Sequence, residues 1–158
     1  MSEDLSPPAR DAVNIEMQPS NPILLYDGVC GLCNRFVSFI LKRDRKDRFR
    51  FAALQSNFAR SILERHGLNP DVLDTIYLVL DHALPSERLL SRNEAATAVL
   101  RELGGFWRVW AGLLDILPQQ FRDRRYNLVA RNRYRFFGKH ETCPLPQEKD
   151  RHKFLGAE

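Results

Sequence analysis

Apolar and polar positions alternate in blocks that predict a mixed chain of strands and helices. Pro22-Ile23-Leu24-Leu25-Tyr26 is a short continuous apolar run, the pattern of a strand covered on both faces. Asp27-Gly28 ends it as a turn. Leu32, Phe36, Phe39 and Ile40 then recur at helical spacing, with Lys42 and Arg43 placed to favour the last turn. Phe49 to Ala53 alternates and predicts a second strand. Ser56 predicts the cap of a helix carrying Phe58, Ile62 and Leu63, with Gly67 past its end. Thr75 to Leu80 is rich in β-branched and aromatic residues and predicts a third strand. Asp81 to Leu84 suits a hairpin loop, and Glu87 to Leu90 its returning strand.

Ser91-Arg92-Asn93-Glu94 reads as a capping box before a helix that buries Ala95, Ala96, Val99, Leu100 and Leu103. Gly104-Gly105 closes that helix. Phe106 to Leu117 is a further helix, and its aromatic residues, including Trp107 and Trp110, are expected in the core. Pro118 starts an arginine-rich helix running to about Phe137, with Gly138 at its end.

The order β-α-β-α-β-β-α, with a crossover helix between two parallel strands and then an antiparallel hairpin, predicts an α/β, thioredoxin-like core with a C-terminal helical extension. The expected organisation is a disordered leader at 1–21, the core at 22–105, the arginine-rich extension with the Cys143 segment at 106–146, and a flexible tail at 147–158. The leader holds Ser6-Pro7-Pro8 and no apolar period, so burial would not offset the cost of ordering it.

Composition narrows the class. The 158 residues suit one domain, and 44% hydrophobic with 28% charged residues is a soluble balance. No apolar run approaches the ~18 residues of a membrane span. Three cysteines cannot form a complete set of structural disulfides. The first twenty residues have no apolar centre that would make a secretory signal. The expectation is a cytoplasmic protein, and in reducing cytosol a close cysteine pair is more often catalytic or metal-binding than structural.

The net charge of +4 is uneven: Phe106 to His140 carries eight Lys or Arg against Asp115 and Asp123. A solvated helix face is the plain reading. Weak contact with an acidic partner or membrane surface through Arg122, Arg124, Arg125 and Arg131 is the functional one. Arg133 and Arg135 belong to the same run. No zinc-finger, basic-zipper or ribonucleoprotein pattern accompanies it, so no specific nucleic acid is expected.

The chemistry concentrates in Asp27-Gly28-Val29-Cys30-Gly31-Leu32-Cys33. Cys30 falls at the start of a helix, where free N–H groups and the macrodipole favour a thiolate; Cys33 lies one turn in. Cys30 is the expected nucleophile on a disulfide and Cys33 the resolving thiol. Asp27 is either a turn cap or the acceptor of the Cys33 proton, although its charge would oppose ionisation of Cys30. Gly28 and Gly31 either permit close approach by another chain or simply mark turns. An alternative uses Cys30, Cys33, His140 and Cys143 as a structural zinc set, and Cys143 could also serve as a third redox partner. A basic interaction module without catalysis is the other alternative. His66, His82 and His152 share no spacing and read as structural.

Tyr26 to Asn34, the arginine-rich helix, Gly138-Lys139 and Cys143-Pro144 together resemble the DCC family of thiol-disulfide oxidoreductases, named for residues matching Asp27, Cys30 and Cys33. The likeness runs from about Ile23 to Pro146. It implies a thioredoxin-like domain, mostly bacterial and also organellar in plants. It does not imply a known substrate. The dithiol itself sets the expectation of a protein or low-molecular-weight disulfide substrate, an unidentified thiol electron donor and no bound cofactor. Thioredoxins place a cis-proline before the first hairpin strand; here Asp74-Thr75 stand there. The dipeptide between the cysteines is Gly-Leu, with neither the proline of thioredoxin nor the histidine of strong oxidants.

Overall fold

The computed structural model describes residues 21–72, 75–141 and 146–156. A four-stranded sheet in the order β2-β1-β3-β4 forms its centre. Strand β1 (Ile23–Tyr26) pairs in parallel with β2 (Arg50–Ala53) and antiparallel with β3 (Tyr77–Leu80). Strand β4 (Arg88–Ser91) closes the hairpin on β3. Helix α1 (Gly31–Leu41) makes the crossover between β1 and β2, and α2 (Asn57–Arg65) follows β2. This is the thioredoxin-like α/β arrangement.

Sheet periodicity sorts the core into two layers. Leu24, Tyr26, Phe51 and Leu78 pack with Cys33, Val37 and Ile40 of α1 and with Ala95 and Val99 of α3 (Arg92–Leu103). Ile23, Leu25, Ala52 and Val79 face the other way, onto Ala59, Ile62 and Leu63 of α2. All four residues of β1 are buried, as its unbroken apolar run requires. Strand β2 is also covered on both faces rather than alternating, and Arg50 is buried in it with its guanidinium bonded to Asp47 and to the Asp47 and Phe49 carbonyls.

Several local expectations change. Ser56 caps α2 by accepting the Ala59 N–H, but Ser91 makes no side-chain cap. Ser91 is the last residue of β4, paired with Tyr77, and Arg92 takes a φ of 53°, so the capping box does not form. Helix α3 buries Ala95, Thr97 and Val99, with Ala96 and Leu103 only partly covered. Lys42 and Arg43 lie just beyond α1, yet Arg43 still donates to the Phe39 carbonyl. His66 and His82 meet at the Glu87 carboxylate, which ties the hairpin loop to α2.

The extension departs most from expectation. Gly104 and Gly105 both take positive φ, 71° and 55°, and turn the chain from α3 into α4 (Gly105–Ile116). Helix α4 buries only Ala111. Trp107 packs edge-on against Phe39, but Phe106, Val109, Trp110, Leu113 and Ile116 are exposed. They are not core residues: the helix is apolar nearly all round, and the protein covers one side of it.

Helix α5 (Gln119–Phe137) returns across the core and contacts α1 and α3. The expected flexible tail is packed instead. A 3₁₀ helix at Glu148–Lys153 leads to Phe154, which stacks on Phe51, and Leu155 donates its N–H to the Phe51 carbonyl at 2.7 Å. This segment covers the open edge of β2. Residues 1–20 and Cys143 lie outside the described residues.

Leu78→Ala, in the sheet centre, is therefore expected to cost about 2–5 kcal/mol in a urea melt. Ile116→Ala should stay within about 0.5 kcal/mol of the parent. Equal losses at the two positions would contradict this division between core and surface.

Candidate active site

Strand β1 delivers Tyr26 into the turn Asp27-Gly28-Val29, and Cys30 follows as the N-cap of α1. The Asn34 side chain fixes that turn, donating to the carbonyls of Gly28 at 2.8 Å and Cys30 at 3.0 Å. Cys30 Sγ accepts the Cys33 backbone N–H at 3.5 Å. Both cysteines are free thiols, Cys30 without exposed surface and Cys33 6% exposed.

The two sulfurs are set apart electrically. A hydrogen bond from the Cys33 thiol brings the Cys30 thiol down to about 6 from its ordinary 9.0; burial opposes this, while the Cys33 N–H, the Arg133 charge and the Leu32 N–H assist. The same hydrogen bond pushes Cys33 above the ordinary thiol range, with burial and the Cys30 charge adding to it. Cys30 is thus the more acidic of the two thiols, and Cys33 the one held protonated beside it.

Asp27 is wholly buried. Its Oδ1 accepts the Val29 N–H at 3.1 Å and Gln55 Nε2 at 2.8 Å. Its Oδ2 accepts the Tyr134 hydroxyl and faces an Arg133 amino group at 3.5 Å. The Gln55 carbonyl accepts the Gly28 N–H at 3.2 Å, so one side chain holds both residues of the turn. The turn-cap role is therefore real, and the carboxylate also joins β1, the β2–α2 turn and α5.

Arg133, Tyr134 and Gln55 were not legible as site residues. Arg133 is 5% exposed and is no part of a solvated face. Its guanidinium lies over the Tyr134 ring and bonds that hydroxyl at 3.1 Å. Its charge acts on Asp27 and on both cysteines, which answers the objection that Asp27 would hold Cys30 protonated. A signal existed: Tyr126, Ala130, Arg133 and Phe137 recur at i, i+4, i+7 and i+11, one inward face of a helix. Tyr126 also reaches the segment before β3, where its hydroxyl meets that of Thr75 and accepts the Ile76 N–H at 3.4 Å.

The end of α5 lies directly on the dithiol helix. Gly31 N–H donates to the Gly138 carbonyl at 3.1 Å, His140 N–H to the Val29 carbonyl at 2.8 Å, and Lys139 forms an antiparallel bridge with Cys30. A Cβ on Gly31 would lie 2.1 Å from the Phe137 carbonyl oxygen. Gly31 is therefore the residue whose missing side chain permits a close approach, and the approaching chain is the protein's own. His140 is brought here by its backbone. Among the described residues no three His, Cys, Asp or Glu side chains gather as metal ligands; Cys143, the fourth member of the zinc set, falls outside them.

The fold is a thioredoxin-like α/β sheet with two free cysteines in the first turn of its first helix. Comparison with known proteins gives the family. Residues 24–139 match the model of the DCC1-like thiol-disulfide oxidoreductases, and the chain belongs to that family. It is 38% identical over 138 residues to the uncharacterized protein YuxK of Bacillus subtilis (strain 168), covering 87% of this chain and 96% of that one. It is 35% identical over 128 residues to a chloroplastic DCC family protein of Arabidopsis thaliana, covering 81% and 72% respectively. No solved structure matches the chain significantly.

Two outcomes follow from the geometry. Gly31→Ala should cost about 1–3 kcal/mol, because backbone must move to admit the methyl group; an unchanged urea midpoint would contradict the contact. The reduced protein should also gain stability with pH. Cys30 is more acidic folded than its ordinary value, so its contribution is absent below about pH 6, grows from about 6 to 9, and is complete above. Cys33, raised, works against it only above that window. The urea midpoint should climb between pH 6 and 9, and Cys30→Ser should remove the climb.

Proposed function

We propose that the protein is a thiol-disulfide oxidoreductase in which Cys30 is the nucleophile and Cys33 the resolving thiol. The observation that carries this reading is the place of the pair: Cys30 is the N-cap of α1, and its sulfur accepts the backbone N–H of Cys33 one turn in, a setting that lowers the Cys30 thiol and raises that of Cys33. Membership of a family described by that activity supports it.

The Cys30 thiolate attacks one sulfur of a protein or low-molecular-weight disulfide, R–S–S–R′. The S–S bond breaks, R′–S⁻ leaves, and a Cys30–S–S–R mixed disulfide forms. Cys33 then loses its proton and attacks Cys30 Sγ, releasing R–S⁻ and closing the Cys30–Cys33 disulfide. The substrate gains two electrons and the protein loses two, which an external thiol donor restores. Asp27 is the candidate acceptor of the Cys33 proton: its backbone N–H hydrogen-bonds the Cys33 sulfur, and its carboxylate anchors Arg133 beside the pair. A reducing cytoplasm is the compartment this chemistry fits best.

Cys30 has no exposed surface, and the 138–140 segment, bridged to it at Lys139, lies against the 29–31 turn, so a substrate needs this part of the surface to open. The two backbone hydrogen bonds at Gly31 and His140 hold that segment there.

With dithiothreitol as donor, the parent should reduce a model protein disulfide. Cys30→Ser should fall to background, and Cys33→Ser should accumulate a mixed disulfide visible by intact mass. Full turnover by Cys30→Ser would reject the assignment. Asp27→Asn should slow resolution more than the first attack, so the mixed disulfide should persist longer in that variant.

A further inference from the structure

The sheet, the dithiol and the buried network leave one large feature unexplained. Phe106, Val109, Trp110, Leu113, Ile116 and Leu117 are each more than a third exposed. At about 100° per residue they share one arc of about 120° on the outer side of α4. A stripe that wide normally faces a core. Here Trp107 and Ala111 face the core, and the stripe faces away.

Helix α5 supplies the complementary charge. Arg124, Arg131, Arg135 and Arg125 project from its outer side, interleaved with the exposed Phe121 and Leu128. None of these arginines has an ion pair among the described residues. The one acid of the helix, Asp123, lies on its flank and accepts from Asn93. Arg122, expected on this surface, is instead bonded to Asp115 at 2.8 Å and only partly exposed. That ion pair, with Arg101 on the same carboxylate, fixes the junction of the two helices.

We propose that the α4–α5 extension docks on an anionic lipid surface. The apolar arc of α4 enters the headgroup boundary, with Trp110 at the depth that suits an indole, and the α5 arginines meet lipid phosphates. The charge decides among occupants. A second copy that covered both helices would set the α5 arginines against surfaces of the same sign, and one that covered α4 alone would leave those arginines unpartnered. An anionic bilayer offers apolar depth and negative charge together. Helix α4 has 12 residues, and no described helix is long and apolar enough to cross a membrane, so the contact lies in the interface plane.

The test is flotation of the purified full chain with vesicles of phosphatidylglycerol and phosphatidylcholine, or of phosphatidylcholine alone, at low and high salt. Binding is expected to the anionic vesicles, to weaken with salt, and to bring a blue shift of tryptophan emission that a Trp110→Phe variant loses. Arg124→Gln with Arg131→Gln should bind about thirtyfold more weakly. Leu113→Glu should abolish the blue shift. Both variants alter exposed positions, and an unchanged thermal melt confirms their fold. Failure to float with anionic vesicles overturns the proposal, including the case where sedimentation shows a dimer instead. So does vesicle binding that ignores Leu113→Glu, which would be adsorption by charge alone.

Discussion

One buried carboxylate ties the first strand of this protein to its last long helix. Asp27 sits without solvent at the end of β1, and its oxygens collect donors from its own turn, from Gln55 and, more than a hundred residues on, from Arg133 and Tyr134. A buried charge left without partners costs about 3–5 kcal/mol, so the fold is strongly biased toward arrangements that keep α5 in place. The Gly31 contact with Phe137 and Gly138 follows from that docking, and so does the burial of Cys30.

The same pairing explains how an acid and a thiolate can be neighbours. A carboxylate near a thiol opposes its ionisation. Arg133 pairs with the Asp27 carboxylate, and its charge lowers the Cys30 thiol together with the Cys33 thiol and N–H and the Leu32 N–H. The helical extension is therefore part of the site electrostatically, and its outer surface is a separate matter of exposed apolar and basic side chains. A sheet and a dithiol helix alone would lack both the counter-charge and the backbone contacts that the end of α5 makes at Cys30 and Gly31.

Much of the fold was legible because strand and helix periods are local. The run Ile23–Tyr26, the Ser56 cap and the Tyr77–Leu80 strand could each be read from a handful of neighbouring residues. Cys30 and Cys33 were legible for the same reason. Arg133 was not, because an arginine within an arginine-rich helix reads as solvated; its spacing from Tyr126 and Ala130 marks the inward face, and its contact with a residue 106 positions earlier shows what it meets there. The α4 aromatics were misplaced for a different reason: periodicity tells which residues share a face and not which way the face turns. The capping box failed because Ser91 was already committed to the β4 ladder and Arg92 to a left-handed turn.

The proposed chemistry depends on the state of one sulfur. Iodoacetamide labelling of Cys30 across a pH series, read residue by residue by mass spectrometry on the reduced full chain, measures it directly. The labelling rate should reach half its plateau near pH 6. A midpoint near 9, the value of an ordinary thiol, would show that neither the helix terminus, nor Cys33, nor Arg133 holds Cys30 as a thiolate, and would contradict the account.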